Sequence, residues 1–238
     1  MQWEDDGIVL ALRPHGETSA VAELLTRAHG RHLGLVRGGR KRAAALLQPG
    51  NSLRASWRAR LSDHLGYYTL EPLRLRTARL MESADALMAL RSVAALIAES
   101  LPERDPHAEL YEGLTVLLDA LDDPLVWPAL YVRFEIGLLD ALGFGLALDR
   151  CAVTGRPDDL AFVSPKSGRA VSHEGAGGFA ERLLKLPAFL LGAQATPLPG
   201  DVADGLKLTG YFLEHRVFLP HHKALPPARL ALAERLRG

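Results

Sequence analysis

The sequence predicts an α+β chain in three parts: a small N-terminal β-barrel, an α-helical bundle, and a compact turn-rich insert within the helical portion. Three observations predict it. Residues 1–77 show period-two apolar alternation broken by glycines, and residues 78–148 and 179–238 carry apolar side chains at helical spacing. Between them, residues 149–178 (DRCAVTGRPDDLAFVSPKSGRAVSHEGAGG) crowd Gly, Pro, Ser and Asp around one apolar patch, Leu160 to Val163.

The barrel rests on five runs. Ile8, Leu10 and Leu12 alternate with Val9, Ala11 and Arg13. Val21 to Arg27 is a second run, and Arg31 to Arg37 a third, ended by Gly38 and Gly39. In the fourth, Leu53, Ala55, Trp57, Ala59 and Leu61 form one face and Arg54, Ser56, Arg58 and Arg60 the other. Tyr67 to Leu75 is the fifth, interrupted by Pro72. Five short strands joined by glycine turns fit a small closed barrel, of which the OB-fold is the commonest form.

Helices are expected at Ala78–Leu101, ended by Pro102, at His107–Leu121, and from Pro128 to Leu142 before Gly143. Further helices are expected at Phe179–Leu186, Asp201–Val217 and Pro227–Leu236. Their apolar stripes should bundle.

The 238 residues carry no net charge, but the charge is unevenly spread. Residues 1–80 hold 13 Lys/Arg against 7 Asp/Glu, residues 81–150 hold 4 against 13, and residues 151–238 hold 11 against 8. That asymmetry points to modules with different partners. No apolar run reaches the ~18 residues of a membrane span. The acidic start MQWEDDGIVL lacks a signal-peptide pattern, and the single cysteine, Cys151, excludes an intrachain disulfide, so a reducing cytoplasm is expected. HExxH, GxSxG, Walker A and GxGxxG motifs are absent, and Ser164-Pro-Lys-Ser-Gly168 reads as a turn.

The most informative stretch is Arg31 to Arg42, RHLGLVRGGRKR. From Leu24 to Ser62 there is no Asp or Glu, while Arg31, Arg37, Arg40, Lys41, Arg42, Arg54, Arg58 and Arg60 all fall there. A row of cations on a strand repels itself unless solvent or an anion relieves it. Phosphate backbone is the natural partner, because spaced cations release many counterions on binding. Gly38 and Gly39 allow close backbone approach. Trp57 alternates with the arginines and is expected in the core, leaving Tyr67 and Tyr68 to offer stacking surfaces.

The order of these parts resembles the RecO family of bacterial recombination mediators. GIVLALRPHGETSAVAELLTRAHGRHLGLVRGGRK is similar to that family's opening, LQPGNSLRASW to its later barrel strand, RFEIGLLDALGFG to its central helix, and CAVTGRPDDLAFVSPKSGRAVS to its insert. The resemblance covers nearly the whole chain and is weakest after about residue 190. It implies a non-enzyme of the cytoplasm and nucleoid, without cofactor, that binds single- and double-stranded DNA and anneals complementary strands. It also implies contact with the single-strand-binding protein and, together with the RecR protein, help in loading the RecA recombinase. Arg31, Arg37, Arg40, Lys41, Arg42, Arg54, Arg58 and Arg60 are the expected DNA contacts.

Many family members hold zinc in the insert with two C-x-x-C pairs. Here Cys151 remains, Thr154 stands at the second position, and the second pair is absent, Ser172 being nearest to one of its positions. One thiolate with His173 nearby falls short of four ligands, so no metal is expected. The acidic helical segment suits protein contacts. Within it Arg133 is the expected docking point for the acidic, apolar-tipped tail of the single-strand-binding protein, or else it pairs with an acid a turn away. Three rival readings stay open: an OB-fold RNA-binding factor, a hydrolase using Cys151 and His173, and a scaffold whose basic face meets an acidic protein.

Overall fold

The alternation in the first 77 residues folds into β1 (Gln2–His15), β2 (Ser19–Thr26), β3 (Gly30–Val36), β4 (Ser52–Arg58) and β5 (Tyr67–Arg74), closed as a barrel in the order β1-β2-β3-β5-β4. β3 meets β5 in parallel and every other pairing is antiparallel. This is the OB-fold. The computed structural model describes residues 1–40, 44–192 and 197–237, so Lys41 and Arg42 lie outside the described residues.

β1 is longer than its apolar core predicts, because its two halves pair with different strands. Residues 7–15 lie against β2, and the acidic start, residues 2–8, lies against β4. Val9, Ala22, Leu24, Leu53, Ala55, Trp57 and Tyr68 fill the interior. Gly34 makes room there: a Cβ at this position would sit 2.4 Å from the Tyr68 ring.

The chain divides into two compact units, Met1–Asp122 and Asp123–Gly238. The expected helical domain therefore parts within itself: α1 (Thr77–Leu80), α2 (Ala84–Ser100) and α3 (Ala108–Ala120) belong with the barrel. Asn51, the chain's one asparagine, shows why. Its buried side chain donates to the Ala45 and Leu46 carbonyls, and its oxygen accepts from the Arg76 and Thr77 N–H groups and the Thr77 hydroxyl. Buried Arg76 then donates to the Gly50 carbonyl, the Ser52 hydroxyl and, from α3, the Asp119 carboxylate. Asn51→Ala would strand several of these groups away from water and should destabilise the unit by roughly 3 kcal/mol, measurable as a lower urea midpoint.

The helix expected at Ala78–Leu101 is interrupted at residues 81–83, where Ser83 caps α2 by accepting the Ala86 N–H.

In the second unit, α4 (Trp127–Ala141), α6 (Asp201–Phe212) and α7 (Pro227–Arg235) surround one buried ion pair. Arg229 donates through Nε and Nη2 to Glu135 at 2.7 and 2.9 Å, and the Thr209 hydroxyl donates to the same carboxylate. All three residues are buried. α6 runs on through a π-helical turn at Leu213–Phe218.

The insert is a three-stranded sheet, β7 (Ala170–Ser172), β6 (Leu160–Val163) and β8 (Leu184–Lys185) in that order, with α5 (His173–Ala176) after β7. It reaches past residue 178, and no α-helix forms over Phe179–Leu186. Gly177, at φ +47°, leads into a 3-10 turn over Gly177–Arg182, after which Leu184 and Lys185 pair with β6.

Candidate nucleic-acid interface

The period-two reading of β4 places Arg54 and Arg58 on its outer face, but the strand ends at Arg58, short of Arg60, and the reading overstates the freedom of Arg54. Trp57 is inside, at 2% exposure, and Arg54 and Arg58 face outward. Arg54, however, sits opposite Asp6 on β1, and its Nε donates to that carboxylate at 2.5 Å. Arg31 is likewise committed: Nη1 donates to the buried Glu23 at 2.5 Å, and Nε to the Leu101 carbonyl. The acids missing from residues 25–61 come from β1 and β2, brought alongside by strand pairing. Arg31 and Arg54, expected to face an external anion, face carboxylates instead.

Four of the expected cations remain without a carboxylate partner among the described residues: Arg37, Arg40, Arg58 and Arg60, all exposed. Arg40 donates to the Gly16 and Glu17 carbonyls, which ties the loop after β3 to the β1–β2 turn. Arg37 lies over the Tyr67 ring, its guanidinium carbon 4.8 Å from the centroid. Arg58 is the cross-strand partner of Tyr67, and Arg60 follows two residues on. Arg37, Arg58 and Tyr67 line an open groove of about 490 Å³ with Val36, Thr69 and Leu70. Tyr67 is 48% exposed, an aromatic surface between two cations, whereas Tyr68 is 5% exposed and cannot stack on a ligand. Strand alternation alone separates these two tyrosines. The arrangement can hold phosphates and support a ring without reading a base edge.

Tyr68 instead turns inward, its hydroxyl 3.2 Å from His32 Nδ1. Burial, with Arg104 nearby, pushes the His32 pKa from its ordinary 6.5 down to about 4. The unfolded chain takes up this proton as pH falls through ~6.5 and the folded chain refuses it until about 4. His32 should therefore cost the fold stability progressively as the pH falls through that window. The urea midpoint of wild type should fall relative to that of His32→Phe as the pH drops over that window.

In the insert, Cys151 is the hub of the turns where a metal would sit. Its sulfur accepts from Ser172 Oγ and N at 3.3 Å and from the Val153 and Thr154 N–H groups at 3.4 Å. A Cβ on Gly175 would lie 2.8 Å from the sulfur. The four positions 151, 154, 172 and 175 thus converge but supply one thiolate, and these residues do not fit a structural zinc. Among the described residues no three His, Cys, Asp or Glu side chains group to hold a metal. Metal analysis of the purified protein should find no stoichiometric zinc.

The sulfur is closed to solvent. Burial pushes the thiol pKa up, but the hydrogen bonds from Ser172 and Thr154 together outweigh it and lower the value to about 6. A substrate has no approach to this sulfur, and none of the hydrogen bonds it accepts among the described residues comes from a histidine. The hydrolase reading loses both its access and its base.

Among the described residues Arg133 does not pair with an acid a turn away. Its guanidinium donates to the Phe189 carbonyl, at 2.6 Å from Nη2, and to the Gly192 carbonyl, capping the 3-10 turn Ala188–Leu190. No helix of the described residues is long and apolar enough to cross a membrane.

Three groups escaped the sequence reading: Asn51, the Glu135–Arg229 pair, and the ring cluster of Trp3, His29 and His32. Only the cluster had a local signal, since His29 and His32 flank Gly30 at the turn into the third strand.

Comparison with known proteins agrees with this architecture. The family described as "Recombination protein O N terminal" matches residues 1–76, and "Recombination protein O C terminal" matches residues 81–226. A DNA repair protein RecO of Methylorubrum extorquens (strain PA1) is 53% identical over 236 residues, covering 96% of each chain. Its counterpart in Rhodospirillum rubrum is 51% identical over 244 residues, covering 100% of this chain and 97% of its own. That of Cereibacter sphaeroides is 51% identical over 238 residues, covering 99% of both. From its barrel to its last helices, the chain belongs to the RecO family.

Proposed function

We propose that the protein is a non-enzymatic mediator of recombinational DNA repair that holds the phosphate backbone of single- and double-stranded DNA along Arg37, Arg40, Arg58 and Arg60. Lys41 and Arg42 extend this row in the sequence. Arg31 and Arg54 contribute less, being neutralised by Glu23 and Asp6. The observation that carries the reading is that Arg37 and Arg58, neither with a carboxylate partner among the described residues, flank exposed Tyr67. Cations that meet no acid lower the repulsion between two phosphate backbones, which is what annealing requires, and they do so without selecting a sequence.

In this reading the protein acts in the bacterial cytoplasm, at the nucleoid. It anneals complementary strands coated with single-strand-binding protein, whose acidic tail docks near Arg133, and with RecR it helps load RecA. Arg133 keeps a partly exposed guanidinium beside the Phe189–Gly192 turn, a place where a carboxylate could compete for its N–H groups. The test is annealing of two complementary oligonucleotides coated with single-strand-binding protein. Faster annealing with the protein present supports the mediator role. An unchanged rate, or annealing of RNA in preference to DNA, contradicts it.

A further inference from the structure

A second concave site lies in the barrel unit, apart from the basic groove. Trp3 of β1, His29 of the β2–β3 turn, His32 of β3 and Trp57 of β4 gather there. The Trp3 ring lies parallel to His29, with centroids 4.1 Å apart and planes 9° apart, and is stacked toward Trp57 at 5.6 Å. His32 meets Trp3 and Trp57 edge-on at 5.0 and 4.9 Å. Together with Ser62 and Arg104 these rings line an open cavity of about 510 Å³, within the size range of small-ligand sites.

Two features mark the cavity as more than an irregular edge of the core. The first is His32, which is 3% exposed. Its Nδ1 lies 3.0 Å from the Leu33 carbonyl, so that nitrogen carries the proton and donates it. Nε2 is then a bare acceptor, and among the described residues it makes no hydrogen bond. The second is Arg104, whose backbone is held in the left-handed region at φ +64°. Its guanidinium donates to the Ser62 and His64 carbonyls and so grips the loop between β4 and β5. That loop carries Arg60 and runs from Arg58 to Tyr67. The aromatic cavity and the basic groove therefore border one loop, Ser62 lining the first and Arg58 and Tyr67 at its two ends lining the second.

We propose that this cavity is a base-binding subsite: it receives an unstacked nucleobase of a single strand, holds it against the His29–Trp3 ring column, and accepts one of its N–H groups at His32 Nε2. This inference rests on the phosphate-binding reading of the groove. Every base has a π-face and at least one N–H donor, so the subsite favours single strands without reading sequence. A duplex, whose bases are paired and stacked, cannot use it.

The test compares a single-stranded oligonucleotide with an abasic strand of the same length and charge. Wild type should bind the base-containing strand about tenfold more tightly. Tyr67→Leu should weaken both strands while keeping a preference, and His32→Phe should reduce that preference while its circular dichroism stays that of wild type. An oligonucleotide carrying 5-iododeoxyuridine, photocross-linked to wild type, should mark Trp3 or His29, which keeps the proposal testable should His32→Phe not fold. Equal binding of the two strands, or cross-links confined to Tyr67, overturns the subsite and leaves the groove intact. Binding of neither strand overturns the groove reading itself.

Discussion

Changing Arg37, Arg58 and Arg60 together to glutamate is expected to lower affinity for single-stranded DNA by at least about 100-fold near 0.1 M salt. The magnitude follows from counterion release. Each phosphate contact contributes roughly 0.7 log unit of affinity per tenfold dilution of salt, so three contacts give about two log units, and reversed charge adds repulsion. The dependence of log affinity on log salt should become shallower by about 2 for the same reason. The fold should survive, because these three side chains are exposed and none meets a carboxylate among the described residues. Arg31→Glu makes the opposite contrast. It would place a second carboxylate against Glu23, whose side chain is 3% exposed, so its main effect should be on stability. Fluorescence anisotropy and thermal melts on the two variants separate these outcomes. A triple variant that binds like wild type would remove the groove from the interface.

Arg229→Ala is expected to destabilise the second unit by about 3–5 kcal/mol, since it leaves the Glu135 carboxylate buried with only Thr209 to satisfy it. The Glu135→Met, Arg229→Met double variant should recover much of that loss, because removing both charges also removes their desolvation cost. Differential scanning calorimetry reads this directly: a strongly lowered transition for the single variant and a partial return for the double. A double variant no better than the single would mean that the pair stabilises the fold beyond its own neutralisation, through the bonds Arg229 makes to the Leu206 carbonyl and Thr209.

The strands were legible because burial on one face leaves a local imprint. Ala55 and Trp57 on β4, alternating with Arg54 and Arg58, are read from seven consecutive residues. The helices with clear stops, α3 and α7, were legible for similar reasons. What stayed hidden depends on residues far apart in sequence. Nothing near Arg54 announces Asp6, 48 positions away, and nothing near Arg31 announces that Glu23 turns inward. The basic stretch was therefore visible as composition, while its division into neutralised and free arginines required the register of β1 and β2. The bound of the insert was hidden too, because β8 is two residues long and owes its conformation to β6 rather than to its own propensity. Arg133 shows the same limit. Its partners are carbonyl oxygens 56 and 59 residues on, and carbonyls leave no mark on side-chain composition.

The most direct measurement is the affinity of the wild-type protein for a labelled single-stranded oligonucleotide across a salt series, with annealing of a complementary strand followed in the same samples. Four arginines in contact with phosphate predict a slope of log affinity against log salt near −3, steeper if Lys41 and Arg42 also engage, and annealing that slows as binding weakens. Affinity that does not change with salt, or no binding at low salt, would contradict a phosphate-binding barrel and leave the basic groove as a surface for another protein.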